Sequence, residues 1–155
     1  MTPGTIDLKV VSDRLDLVRE HLGELRELPS GSMQSFLADR RNQRAAEALL
    51  RRAIEALFDV ARHLLAKSAG VGALEYREVA RQCVQRGLVR DPDLATRMEQ
   101  IAGFRNRLTH HYEDVTGPEL YGVVAGHLGD LAAIAEALRR AAAELTAPPT
   151  PDAAP

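Results

Sequence analysis

Leu49-Leu50-Arg51-Arg52-Ala53-Ile54-Glu55-Ala56-Leu57-Phe58-Asp59-Val60-Ala61-Arg62-His63-Leu64 contains neither glycine nor proline. Its apolar residues at Leu49, Leu50, Ala53, Ile54, Leu57, Ala61 and Leu64 recur at intervals of three and four, the period of a helix and not of a strand. Few residues are β-branched, and Ala, Leu, Arg and Glu dominate, so intrinsic propensity agrees with the periodicity. The reading predicts one long helix. It begins near Ser32 or Ser35, either of which can cap it. It ends after Lys67, where Ser68-Ala69-Gly70-Val71-Gly72 breaks the pattern.

The flanks read the same way. Upstream, Leu8, Val11, Leu15, Val18, Leu22 and Leu25 step by three and four from Ile6 to Leu28, until Pro29-Ser30-Gly31 stops them. This seam suits core packing, and a dimerising helix is the alternative. Downstream, a shorter helix over Glu75–Arg86 would bury Tyr76, Val79, Ala80, Cys83 and Val84, with Gly87 closing it. Asp91-Pro92 opens the next helix with a capping carboxylate and a proline at the first helical position. Leu94, Met98, Ile101, Ala102 and Leu108 form its apolar side. Thr116-Gly117-Pro118-Glu119 has the spacing of a capping box, and the helix it opens carries Leu120, Val123, Val124, Leu128, Leu131, Ile134, Leu138 and Leu145. No strand pattern of useful length occurs. The expectation is an all-α bundle of five helices over residues 1–146, followed by a disordered Pro-rich tail at 147–155.

With 155 residues, 45% of them apolar, and a net charge of −2, the chain suits one globular domain with a proper core. It shows no overall positive charge that would point to DNA or a membrane. Charge is unevenly spread, however. Between Phe36 and Lys67 seven basic residues stand against four acidic ones, an excess that can attract RNA or an acidic partner, or simply solvate a helix face. The single cysteine, Cys83, excludes an internal disulfide and a thiolate zinc site. No signal peptide or membrane span is visible, so a cytoplasmic location is expected. Tryptophan is absent and aromatics make up 4%, which argues against a broad base-stacking platform.

Chemistry concentrates in Phe104-Arg105-Asn106-Arg107-Leu108-Thr109-His110-His111-Tyr112-Glu113-Asp114. Two guanidiniums, an amide, two imidazoles and a phenol fall close together in a chain with five histidines and three tyrosines. On a helix Asn106 and His110 lie one turn apart on one face, and the long Arg105 side chain is expected to reach the same patch. Arg offers a planar, permanently charged fork to phosphate oxygens, and His moves protons near neutral pH. A surface Arg and His at a helix end can also be idle, His being favoured there by the helix dipole. No metal is expected, because adjacent His110 and His111 do not converge easily on one ion. Asp59 and Glu55, one turn apart on the long helix, are candidates to pair with Arg105 or orient His110, or else to pair with Arg51, Arg52 or Arg62. His111 is either a second phosphate contact or exposed.

The string Arg105-Asn106-Arg107-Leu108-Thr109-His110-His111-Tyr112 resembles the Arg-x4-His-x-Tyr signature of HEPN-domain toxins of the HepT type, with Thr109 where valine is usual. Gln43 to Ala61, Tyr76-Arg77-Glu78-Val79 and Gly103-Phe104 also look familial, and the resemblance runs from about Leu8 to Arg140. It implies a homodimeric HEPN bundle and a metal-independent ribonuclease that needs no cofactor. The family's substrates are cellular RNAs, with tRNA among the candidates, and no DNA or membrane partner is implied. The protein would be the toxin of a toxin–antitoxin pair, forming a dimer or larger assembly with a minimal nucleotidyltransferase antitoxin. That antitoxin would silence it by AMPylation of Tyr112. By the same resemblance Arg105, Asn106 and His110 are catalytic; His111 and Asp59, read from their positions alone, are candidates for a supporting role. The alternative is an inactive HEPN dimer acting as binding partner of the nucleotidyltransferase.

Overall fold

A computed structural model describes residues 4–72 and 74–148, and describes Tyr112 by its backbone alone. Among the described residues seven α-helices follow one another: α1 (Leu8–Glu27), α2 (Met33–Leu37), α3 (Arg40–Ala69), α4 (Tyr76–Gln85), α5 (Pro92–His110), α6 (Gly117–Gly126) and α7 (Leu128–Thr146). A 3-10 turn at Tyr112–Asp114 joins α5 to α6. Among the described residues there is no strand. The predicted disordered tail lies, from residue 149 onward, outside the described residues.

The stretch that began the sequence reading is the axis of the fold, because every other helix packs on α3. A helix with neighbours on all sides buries more than one stripe. Ala56, Phe58, Val60 and Leu65 are therefore buried in addition to the predicted Leu50, Ala53, Ile54, Leu57, Ala61 and Leu64, while Leu49 is only half-buried. The helix ends at Gly70, whose φ of 67° is the left-handed conformation that glycine adopts without steric cost.

The expected five helices are seven because two of them are broken. The first break falls between Leu37 and Arg40. Ser32 caps the short α2 by accepting from Ser35 N–H, and Asp39 starts a new helix by accepting from Arg41 N–H at 2.9 Å. The second falls at His127, whose φ of −126° leaves helical space between Gly126 and Gly129, two residues that weaken a helix. Turning the chain there lets α6 cross α2 while α7 packs along α1 and α3. Gly117 makes the α2 crossing possible: a Cβ on it would stand 2.7 Å from Leu37 Cδ2.

The α1 seam is used inside the chain. Val11, Val18, Leu22 and Leu25 are buried against α3 and α7, and Leu8, at the seam's end, is 52% exposed. This removes the reason to read α1 as a dimerising helix. In α4, Val84 is exposed where burial was expected, because α4 packs chiefly on α3 and α5 and its far side faces water. Cys83 is fully buried, and burial pushes its thiol up to about 12, so it stays a protonated core residue. No described helix is long and apolar enough to cross a membrane.

Candidate active site

Helix α5 carries the signature, and its start and end are both set locally. Asp91 accepts from Asp93 N–H at 2.9 Å with Pro92 in the first turn, and His111 closes the other end by donating its N–H to Arg107 O at 2.9 Å. Met98, Ala102 and Leu108 are buried in the core and hold the helix in register. Arg105, Asn106 and His110 therefore all project from one helix anchored in the core.

The inner edge of that helix carries Arg105. Its Nη2 donates to Glu55 Oε1 on α3 at 3.2 Å, and its Cζ lies 4.1 Å from the centre of the Tyr76 ring on α4. A guanidinium over an aromatic face gains a cation–π attraction as well as the ion pair. Tyr76 is itself fixed, with Phe58 against it at a ring-centre distance of 5.0 Å and the Arg62 Cζ 4.5 Å from its ring centre. Only 16% of the Arg105 side chain is exposed. Arg105 Nε and, one turn on, Thr109 Oγ1 are buried without a hydrogen-bond partner among the described residues. Buried donors are normally satisfied, so this inner edge holds unused hydrogen-bonding capacity.

His110 points elsewhere. Five helical residues amount to a rotation of about 140°, and its ring is exposed while Arg105 is turned inward. In this chain the Arg105 guanidinium is engaged by Glu55 and Tyr76, and it makes no hydrogen bond to Asn106 or His110. Asn106, half-buried, stays on the same flank as His110. His111 is exposed at the helix end. Tyr112 follows in the 3-10 turn, and its side chain lies outside the described residues.

The two carboxylates on α3 separate in role. Glu55 is the one that meets Arg105, whereas Asp59 lies 3.8 Å from Arg14 of α1 and makes no hydrogen bond or ion pair with the motif among the described residues. Packing of α1 along α3 supplies that basic partner, which spacing within α3 alone did not reveal. Arg40, Arg51 and Arg52 on α3 are exposed and have no acidic partner among the described residues, so the basic face of this helix keeps free positive charge.

Arg107 was not singled out by the sequence, yet it is tightly built in. Its guanidinium binds both Glu119 oxygens in a fork, Nη2 to Oε2 at 2.9 Å, and donates to Asp114 O at 2.9 Å. The Glu119 hydrogen bonds raise its already high pKa further. Thr116 Oγ1 accepts from Glu119 N–H at 3.2 Å, the first half of the expected capping box. The Glu119 carboxylate goes to Arg107 in place of the second half. Among the described residues no three His, Cys, Asp or Glu side chains cluster as metal ligands.

The arrangement resembles known proteins in sequence and in shape. The "tRNA nuclease HepT" of Aphanizomenon flos-aquae (strain 2012/KM1/D3) is 24% identical over 121 residues, covering 77% of this chain and 81% of that protein. The tri-AMPylated HEPN toxin of Shewanella oneidensis, solved in complex with its MNT antitoxin, superposes with a TM-score of 0.75 at 20% identity, over 84% of this chain and 97% of that one. YutE, a cytosolic protein of unknown function from Bacillus subtilis, gives a TM-score of 0.75 at 15% identity, over 94% and 96%. These two likenesses establish a shared helical fold. Residues 18–138 match the family described as ribonuclease HepT-like, from the middle of α1 into α7 and across the whole signature, and the chain belongs to that HepT-like ribonuclease family.

Proposed function

We propose that this protein is the toxin of a toxin–antitoxin pair, a ribonuclease acting on cellular RNA without a metal ion. Residues 1–146 would form its HEPN domain. The observation that carries this reading is the guanidinium of Arg105, anchored by Glu55 and Tyr76 on the helix that presents Asn106 and His110 to solvent. Two relatives point the same way: one is named a tRNA nuclease, and another was solved as an AMPylated toxin with its antitoxin. tRNA is accordingly the first substrate to try.

Metal-free cleavage needs proton transfer and charge stabilisation only. The ribose 2′-oxygen attacks the adjacent phosphorus and gives its proton to one His110. The P–O5′ bond then breaks, and the leaving oxygen takes a proton from a second imidazole. Products are a 2′,3′-cyclic phosphate and a 5′-hydroxyl. Because Arg105 and His110 of one chain face different ways, the cleft requires two copies: the partner subunit's His110 supplies the second imidazole, and Arg105 neutralises the pentacoordinate phosphate. Asn106, on the flank of His110, orients that ring or bonds a phosphate oxygen. On this reading the homodimer is part of the mechanism.

Silencing follows from the same site. A nucleotidyltransferase partner transfers AMP from ATP to the Tyr112 hydroxyl, which loses its proton as pyrophosphate leaves. The added phosphate and nucleoside then repel and obstruct an RNA phosphate at the neighbouring His110.

A second reading, an inert HEPN dimer that serves only as the nucleotidyltransferase's partner, is favoured by Arg105 already being engaged by Glu55. Purified protein incubated with tRNA in chelator separates the two. Cleavage that disappears in His110→Ala and Arg105→Ala supports the nuclease. RNA left intact by the wild-type protein leaves the inert partner. Mass spectrometry after co-expression with the nucleotidyltransferase should find AMP on the wild-type protein and none on Tyr112→Phe.

A further inference from the structure

Beside the motif, a groove of about 400 Å³ opens between α5 and the helices α3, α6 and α7, within the size range of ligand pockets. Its floor is apolar, formed by Leu50, Ile54, Ile101, Val123 and Leu131. Phe104 forms a wall. Of the three phenylalanines in the chain, Phe36 and Phe58 are fully buried, so only Phe104, half-buried, keeps ring surface for a ligand.

The polar rim is not balanced. Its three carboxylates each have a basic partner: Asp130 with Arg97 at 2.7 Å, Glu119 with Arg107, and Glu99 with Arg81 at 3.7 Å. Two further rim side chains, Arg77 and Gln100, are exposed and have no partner among the described residues. Arg77 lies across Gly103, its Nη2 only 2.8 Å from where a Cβ would stand, so the absence of a side chain there brings the guanidinium against α5. The groove is therefore an apolar slot with one aromatic wall, a free amide and a free cation.

Its place on the helix joins it to the motif. Phe104 and Arg107, one turn apart on α5, both line the groove, and Arg107 belongs to the motif string. His110 lies about 4.5 Å further along the axis and is not one of the lining residues. Arg107 cannot wander, since Glu119 and the Asp114 carbonyl hold it.

The geometry points to this groove as the seat of one nucleobase of the RNA substrate, on the flank of the motif helix. Phe104 stacks on the base, Gln100 reads its hydrogen-bonding edge, and Arg77 meets a flanking phosphate. Base–aromatic stacking is sequence-tolerant, so the discrimination falls to Gln100, whose amide both donates and accepts. The inference rests on the ribonuclease reading and adds to it a determinant of where the RNA is cut.

The test uses the full-length protein and two variants: Val123→Trp, which fills the slot from α6, and Gln100→Ala at an exposed position. Each is titrated calorimetrically with the 3′-monophosphates of adenosine, guanosine, cytidine and uridine. Each is also assayed on short RNAs that differ only in the bases flanking the cut. One base should be preferred by the wild type about tenfold, and Gln100→Ala should level that preference. Val123→Trp should lose mononucleotide binding and raise KM for RNA about tenfold with kcat retained.

Wild-type KM and base preference in both variants would overturn the assignment. So would a Val123→Trp protein that sediments as a monomer while Gln100→Ala keeps its base preference, since the groove would then be a contact between copies. A wild type that cuts no RNA, yet binds a mononucleotide that Val123→Trp does not, sinks the nuclease reading and leaves the base seat standing.

Discussion

Arg105 and Glu55 meet at 3.2 Å, Nη2 to Oε1, across the α5–α3 packing, with the same guanidinium 4.1 Å from the Tyr76 ring centre. An arginine restrained on two sides reaches a phosphate with little side-chain freedom left to lose, which is how a charge stabiliser works best. Glu55→Ala should therefore leave Arg105 mobile and lower RNA cleavage about tenfold, chiefly in kcat. The stability cost should be about 1 kcal/mol, because the pair is partly exposed and screened. Glu55→Gln, which keeps an acceptor, should retain most of the activity. Equal losses in the two variants, measured by single-turnover cleavage and thermal melts, would count against a positioning role.

His110 allows the cleaner mutational test, since its ring is exposed and makes no hydrogen bond among the described residues. His110→Ala should change stability by less than about 0.5 kcal/mol while lowering cleavage by about 10²–10⁴. If each cleft draws an imidazole from both chains, a dimer with one His110→Ala subunit should be inactive, so activity on mixing with wild type should fall as about the square of the wild-type fraction. A linear fall, with subunit exchange shown by native mass spectrometry, would place a complete site in each chain.

Packing around α3 makes its core the most sensitive place in the fold. Leu57 and Phe58 are both fully buried where the other helices converge. Leu57→Ala should cost about 2–5 kcal/mol and Phe58→Ala about 3–5. The second should also loosen Tyr76, whose ring Phe58 supports. Phe58→Leu is then expected to depress cleavage more than its melting temperature alone explains. A proportional loss of both would remove Phe58 from any link to the site.

How far the sequence could be read depended on how local each cause was. The all-helical class, the Asp91-Pro92 start of α5 and the Gly87 turn at φ 73° rest on neighbours in the chain, and each is found in the structure. The breaks at Asp39 and His127 were missed because apolar periodicity continues on both sides of them. At Asp39 the signal was present, a capping carboxylate before Arg40-Arg41, but the stronger pattern hid it. Pairings across helices were the least legible. That Glu55 rather than Asp59 meets Arg105, and that Arg14 takes Asp59, depends on how α1 and α5 rotate against α3. No spacing within a single helix encodes that rotation. The role of Arg107 is illegible for the same reason, its partner lying on α6.

The approach to α1 adds a pH dependence. His63 Nε2 accepts the Asp7 backbone N–H at 2.9 Å, and a second bond from Gly4 N–H to Lys67 O ties the same arm to α3. Only a neutral imidazole can accept that bond. Burial first, and the nearby Lys67 charge second, hold the His63 pKa below its usual 6.5, the Asp7 carboxylate opposing them. The folded state therefore takes up a proton at lower pH than the unfolded chain does. Its contribution is complete above about 6.5, the unfolded value, and declines as pH falls toward the folded value, below which it is gone. Melting temperature should drop between pH 7.5 and pH 5, and hydrogen exchange at the Asp7 amide should speed up with it. His63→Gln, which has an acceptor at every pH, should flatten that part of the profile. An unchanged slope in His63→Gln would assign the acid sensitivity to other groups.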